Sequence, residues 1–239
     1  MELNRAASAL RWWEEAGVDT LVAETPRNWL APETGAVATS TPAVVREPSA
    51  PAAAPMPETL EAFTAWLADA ESLPYATPSA PRIAASGDPA AGLMVLVDMP
   101  APEDIAAGHL LAGEPGALFD RMLAAIGRSR DLLYLAPLSP IRTATGMLDA
   151  AGATALAEIA RHHVGLVAPR ALLLFGDACA KALLGRPISA TRGKWQEINT
   201  KTGPVRTLST IRPAKLLAVP ALKKLAWEDL QMLREELNP

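Results

Sequence analysis

From residue 92 onward, short continuous apolar runs alternate with amphipathic stretches. GLMVLVDM (92–99), DLLYLAPL (131–138) and RALLLFG (170–176) read as buried strands, because a strand covered on both faces has no polar side to alternate with. Between them, GALFDRMLAAIG (116–127), residues 149–167 and residues 177–184 carry helical patterns. WQEINTKTGPVRTLST (195–210) predicts a ribbon turning at Thr202-Gly203, its second arm a fourth strand, and residues 217–237 predict one closing helix. Such alternation means an α/β fold, a parallel sheet with helices on both faces.

The first part of the chain has a different pattern. Residues 2–16 place Ala6, Leu10 and Trp13 on one helical face, with Gly17 as a stop. Six prolines fall at 32, 42, 48, 51, 55 and 57 among Ala, Thr and Ser, a composition that buries too little apolar surface to offset chain entropy. A second helix begins near Pro57-Glu58 and runs through Leu60, Phe63, Trp66 and Leu67, and residues 71–90 read as loop. The expected organisation is an N-terminal helical segment (1–30), a Pro/Ala-rich linker (31–57) and a domain over 58–239.

Composition narrows the function classes. A length of 239 residues fits one α/β domain with an appendage. A single cysteine excludes a disulfide scaffold, a four-cysteine zinc site and a self-supplied iron–sulfur cluster. No apolar run approaches the roughly 20 residues of a membrane span, and MELNRAASALRWWEE lacks a signal-peptide core, so a soluble cytoplasmic protein is expected. The net charge of −4 argues against a generic nucleic-acid binder, but the charge is unevenly spread. Residues 1–160 carry nine arginines, no lysine and 20 carboxylates, a net of −11. Residues 161–225 carry 12 cations against Asp177 and Glu197, a net of +10. This is either ordinary surface solubilisation or a one-sided basic face for phosphates.

Ligands of parallel α/β sheets bind at the C-terminal ends of the strands, which directs attention to 97–104, 136–145, 176–178 and 210–217. The first end reads Val97-Asp98-Met99-Pro100-Ala101-Pro102-Glu103-Asp104, followed by Gly108-His109-Leu110-Leu111-Ala112-Gly113. The second ends Tyr134-Leu135-Ala136-Pro137-Leu138, the third leads into Phe175-Gly176-Asp177-Ala178, and the fourth ends Thr210-Ile211-Arg212-Pro213-Ala214-Lys215-Leu216-Leu217. With Arg192-Gly193-Lys194-Trp195 and the closing LKKLAWEDL, this order and spacing resemble the uracil-DNA glycosylase superfamily, in particular its family 4, over about residues 58–237.

The resemblance implies a three-layer α/β/α sandwich with a four-stranded parallel sheet, and hydrolysis of the glycosidic bond of a uracil flipped out of DNA. It also implies where the chemistry sits. The family's Gly-Glu-x-Pro-Gly corresponds to Val97 through Ala101: Asp98 keeps a carboxylate one methylene shorter, Pro100 is retained, and both glycines are lost. The aromatic that stacks on uracil is replaced by Leu111, the amide-bearing Thr-Asn by Ala136 and Pro137, and the histidine of His-Pro-Ala by Arg212. Asp98 and Arg212 are thus the expected catalytic, though degenerate, positions, and Pro100, Leu111, Ala136 and Pro137 the base-pocket positions. Arg212 supplies a permanent cation but cannot report which base is present. The family's iron–sulfur cluster is expected to be absent: Glu71-Ser72-Leu73-Pro74 stands where its first ligands belong, and Cys179 reads as a small core residue.

Arg192, Lys194, Lys201, Arg212 and Lys215 are the expected phosphate contacts near one end of the sheet, with Leu216 and Leu217 as apolar wedges in a minor groove. The simpler alternatives are that Asp98 caps a turn, that Glu103 and Asp104 serve a helix dipole, that both leucines pack inward, and that His162 and His163 are solvent-facing or core-edge groups. Trp12, Trp13 and Trp29 either fold back on the domain or anchor a protein partner. Three functions are therefore expected in competition: a catalytically degenerate, DNA-contacting or replication/repair-associated factor; an active glycosylase of altered specificity using Asp98 and Arg212; and a protein scaffold acting through the tryptophan-bearing N-terminus. No metal is expected.

Overall fold

The computed structural model describes residues 56–237. The expected helix at 2–16, Trp12, Trp13, Trp29 and nearly all of the linker lie outside the described residues.

Among the described residues, six strands form one sheet: β1 (Ser86–Gly87), β2 (Leu93–Val97), β3 (Tyr134–Pro137), β4 (Ala171–Phe175), β5 (Gln196–Thr200) and β6 (Gly203–Thr210), in the order β1-β3-β2-β4-β6-β5. The four inner strands, β3, β2, β4 and β6, are parallel. β1 and β5 run antiparallel to β3 and β6 and form the two edges. The expected four-stranded parallel sheet is therefore corrected to a six-stranded mixed one. The first arm of the ribbon pairs fully with the second, and residues 86–87, read as loop, add the other edge. Gly87 is needed there: it takes φ +92°, and a Cβ would lie 2.1 Å from the Leu133 carbonyl oxygen.

Residue alternation along the strands divides the core between two faces. Leu93, Val95 and Val97 of β2 point to one side with Leu173, Phe175 and Leu208. There they meet α3 (Gly113–Ala125), α7 (Pro213–Ala218) and α8 (Lys223–Leu237) through Phe119, Leu123, Leu216 and Leu230. Met94 and Leu96 point to the other side with Leu172 and Leu174, against α4 (Ala150–Val167) and α5 (Asp177–Leu184) through Leu156, Val164, Cys179 and Leu183. Period-two alternation inside an all-apolar run is what a strand with two covered faces requires.

Local chemistry sets the helix ends. Thr59 caps α1 (Leu60–Asp69) by accepting from the Ala62 N–H at 3.3 Å, and Asp149 caps α4 by accepting from the Gly152 N–H at 2.8 Å. The expected single helix over 217–237 is broken: α7 ends at Ala218 and α8 starts at Lys223. Pro220 explains the break, because it disfavours helical backbone at Val219 and has no N–H to continue the ladder. α1 lies on α4 through Phe63, whose ring centroid is 4.9 Å from that of His163 and 5.3 Å from that of His162. His163 is fully inside the core and not at its edge, with Nε2 3.1 Å from the Tyr134 hydroxyl, and His162 Nε2 lies 2.7 Å from the Pro57 carbonyl oxygen. No helix among the described residues is long and apolar enough to cross a membrane.

Candidate functional site

The chain reverses direction across the sheet at β2, which lies between β3 and β4, so a crevice is expected beyond the C-terminal ends of these strands. Asp98 follows β2 directly, and Arg212 follows β6 by one residue. Although 114 positions apart, the two side chains meet there, with Arg212 Nη1 donating to Asp98 Oδ2 at 2.8 Å. The other carboxylate oxygen, Oδ1, accepts from the Met99 N–H at 2.9 Å. Arg212 passes over Gly176, which precedes α5 and takes φ +89° and ψ 178°, a region open essentially to glycine alone. Beneath the pair, Cys179 is completely buried, its Sγ 3.6 Å from the Leu96 carbonyl oxygen. Burial, reinforced by the Asp98 charge, pushes its thiol pKa up, so it is an inert core group and not a nucleophile.

A cavity of about 880 Å³ opens beside this pair. One wall is Gly146-Met147-Leu148 with Ala153, Ala157 and Arg161 of α4, facing Ala178, Lys181 and Ala182 of α5. The other end reaches Ile188, Lys215, Leu222 and Leu225. Its walls are largely apolar, and its cations differ in availability. Arg161 donates to the Ala182 and Leu183 carbonyls, and Lys181 pairs with Asp177 at 2.5 Å, a contact that lowers the Asp177 pKa. Lys215 is exposed and forms no ion pair among the described residues.

The expected base-pocket residues are not brought to this cavity; none of the four lines it. Ala136 is buried in the core, and Pro137 faces a small void of about 60 Å³ beneath α1 with Thr64 and Leu67. Pro100 is buried, its carbonyl held by Arg142 Nη1 at 3.0 Å. Leu111, at φ +52°, packs half-buried on the core. Two groups lock its loop. Asp104 of α2 (Pro102–Ala107) is buried and accepts from the N–H groups of Ala101 and Ala112 at 2.9 and 2.7 Å, and Arg130 donates to the Leu110 and Leu111 carbonyls at 3.0 and 2.7 Å. Asp104 is thus a loop clamp as well as a dipole charge.

The expected phosphate contacts separate. Lys194, Arg212 and Lys215 lie toward the C-terminal end of the sheet and are exposed. Lys201 does not join them: β5 runs against β6, so the turn between them falls beyond Gly203, at the opposite end. Arg192 is committed inward. Its Nη2 donates to the Leu225 carbonyl at 2.7 Å and to Asp229 Oδ1 at 3.1 Å, and its Nε to Asp229 Oδ2 at 3.3 Å. Asp229 is fully buried and also accepts from Thr210 Oγ1 at 2.8 Å and the Gly193 N–H at 3.0 Å. Burial nevertheless pushes its carboxyl pKa up. Leu216 is no wedge, because it is buried in the core under α7; Leu217 beside it is half-buried. Asp229 was missed because it sits among Glu228, Glu235 and Glu236 in a helix that reads as solvated. The 146–148 wall was missed because no periodic signal marks it.

The match to the family model of the uracil DNA glycosylase superfamily extends over residues 84–231, more than half of the chain, and takes in β1 to β6 and both Asp98 and Arg212. The chain belongs to that superfamily.

Proposed function

We propose that this member of the uracil DNA glycosylase superfamily contacts DNA, as a repair- or replication-associated factor, without excising uracil. One observation carries the reading: Leu111, Ala136 and Pro137, which stand where the family's base readers stand, present no side-chain hydrogen-bond group and line no part of the cavity. A pocket discriminates strongly when buried polar groups are left unpaired by the wrong ligand, and those positions have none to leave unpaired. Arg212 also occupies one oxygen of Asp98, the carboxylate to which the resemblance assigns the orienting of water. The donor set does not suit an iron–sulfur cluster, since the one cysteine is sealed in the core and Glu71 to Pro74 offer no thiolate. Exposed Lys194, Arg212 and Lys215 supply phosphate contacts that position the protein without reading sequence.

The test pairs uracil release from single- and double-stranded DNA with a binding titration on the same preparations. No release, with salt-sensitive binding weakened by Lys215→Ala, is the expected result. Uracil release that Asp98→Ala abolishes overturns the reading.

The meeting of Asp98 and Arg212 at the cavity favours a second reading, an active glycosylase for another damaged base, in which Asp98 orients water and Arg212 stabilises the departing anion. It requires activity on some lesion that Arg212→Ala eliminates. Inactivity across a panel of lesions removes it.

A further inference from the structure

The resemblance places the family's first cluster ligands at Glu71 to Pro74, and the segment from there to β1 is held to the rest of the domain by side chains and backbone. Arg82 reaches back to α1, donating through Nη1 to the Leu67 carbonyl at 2.9 Å and through Nη2 to the Ala70 carbonyl at 3.0 Å. Backbone pairing joins Arg82 to Ile141, and the Ile83 N–H donates to the Pro140 carbonyl at 3.0 Å. Leu73 is buried.

Tyr75 completes the attachment at the start of α4. Its hydroxyl oxygen accepts from the Asp149 N–H at 3.1 Å. Its ring leaves no room for a side chain at Gly152, where a Cβ would lie 2.0 Å from the hydroxyl oxygen and 2.5 Å from Cζ. Tyr75 itself takes φ +66°, which is unfavourable for an aromatic residue and persists only where surrounding contacts hold it. Asp149 is both the cap of α4 and the residue following Gly146-Met147-Leu148, the wall of the large cavity. At the other end of that wall, Arg142 is tied to the Pro100 carbonyl and Thr143 Oγ1 donates to the Met147 carbonyl at 2.9 Å.

We infer that Tyr75, seated on Gly152, is a metal-free staple that positions the 146–148 wall of the cavity, doing with side chains and backbone amides the joining that shared metal ligands would do. A metal bound by residues from separate segments couples their folding. Here Arg82 and Tyr75 link α1, the loop after β3 and the start of α4 without one.

The experiment uses the full chain and three variants, Gly152→Ala, Tyr75→Ala and the double variant, with metal content, thermal midpoint and amide exchange over 142–152 as readouts. The purified protein is expected to carry no stoichiometric iron and to keep its midpoint in chelator. Alanine is a better helix former than glycine, so Gly152→Ala alone should stabilise α4. With Tyr75 in place it should instead lower the midpoint and speed exchange over 142–149 by about five-fold, as for the loss of one net hydrogen bond. In the Tyr75→Ala background the same Gly152→Ala change should become neutral or stabilising. Stoichiometric iron whose removal lowers the midpoint overturns the inference. So does a Gly152→Ala effect of the same sign and size with and without Tyr75.

Discussion

Replacing Arg192 separates two roles that one cation can play. In the structure its guanidinium lies against a fully buried Asp229, which also accepts from Thr210 and the Gly193 N–H. Arg192→Ala leaves those two bonds but removes the only counter-charge among the described residues that hydrogen-bonds the carboxylate, and it frees the Leu225 carbonyl. Removing one partner of a buried pair typically costs about 3–5 kcal/mol. In a chain of this size each kcal/mol moves the thermal midpoint by about 2–4 °C, so a fall of about 10 °C is expected. Asp229→Asn keeps the shape and the Thr210 bond and should cost less. A matched apolar pair, Arg192→Met with Asp229→Leu, should be less destabilising than the two single changes summed, because desolvation of both charges is relieved together. Thermal and urea unfolding measure these effects, alongside DNA binding well below each variant's midpoint. If Arg192→Ala keeps the wild-type midpoint and loses DNA affinity, the side chain is a phosphate contact and the structural argument is wrong.

Acid should weaken the fold through His163. Burial, with His162 beside it, lowers its pKa from 6.5 to about 4, so below pH 6.5 the unfolded chain takes up a proton that the folded one refuses. Stability is then full above pH 6.5 and falls toward pH 4 by about 1.4 kcal/mol per unit, about 3 kcal/mol in all; urea midpoints at pH 7, 6 and 5 should show this slope, and His163→Gln should flatten it. If Lys194, Arg212 and Lys215 are the DNA-facing cations, log affinity should fall against log salt with a slope of about −3. Lys194→Ala and Lys215→Ala should each reduce that slope by about one, whereas Lys201→Ala should leave it unchanged, and an equal effect at Lys201 would place DNA elsewhere. Gly176→Ala should lower stability by about 1–3 kcal/mol, since φ +89° with ψ 178° excludes a Cβ; an unchanged unfolding curve would show that the backbone relaxes at no cost.

The strands were legible from 92–99, 131–138 and 170–176 because apolar runs of that length need cover on both sides, and the structure supplies it. The pairing of Asp98 with Arg212 was half legible. Position after a parallel strand placed both residues at one end of the sheet, but nothing in the order of residues says that they bond to each other. The same reasoning failed for Lys201, where proximity in sequence to Lys194 and Arg212 suggested proximity in space. The intervening antiparallel strand carries it to the far end. It failed differently for Arg192 and Leu216, which a local pattern cannot distinguish from exposed neighbours, because their partners, Asp229 and the core under α7, come from other elements. The contact of Tyr75 with Gly152 left no trace in periodicity, since it depends on the ring filling the space where a side chain at 152 would lie.

By itself, then, the sequence determined the class of fold, the identity of the central strands and the end of the sheet at which Asp98 and Arg212 lie. These follow from hydrophobic period and chain direction, both carried by neighbours a few positions apart. Tertiary structure alone decided which cations face solvent and which are spent on buried carboxylates. It also decided that Leu111, Ala136 and Pro137 do not line the cavity. Those outcomes depend on burial and on contacts across as many as 114 positions, where the desolvation of a charge and the fit of a ring are set by atoms that the local sequence does not contain.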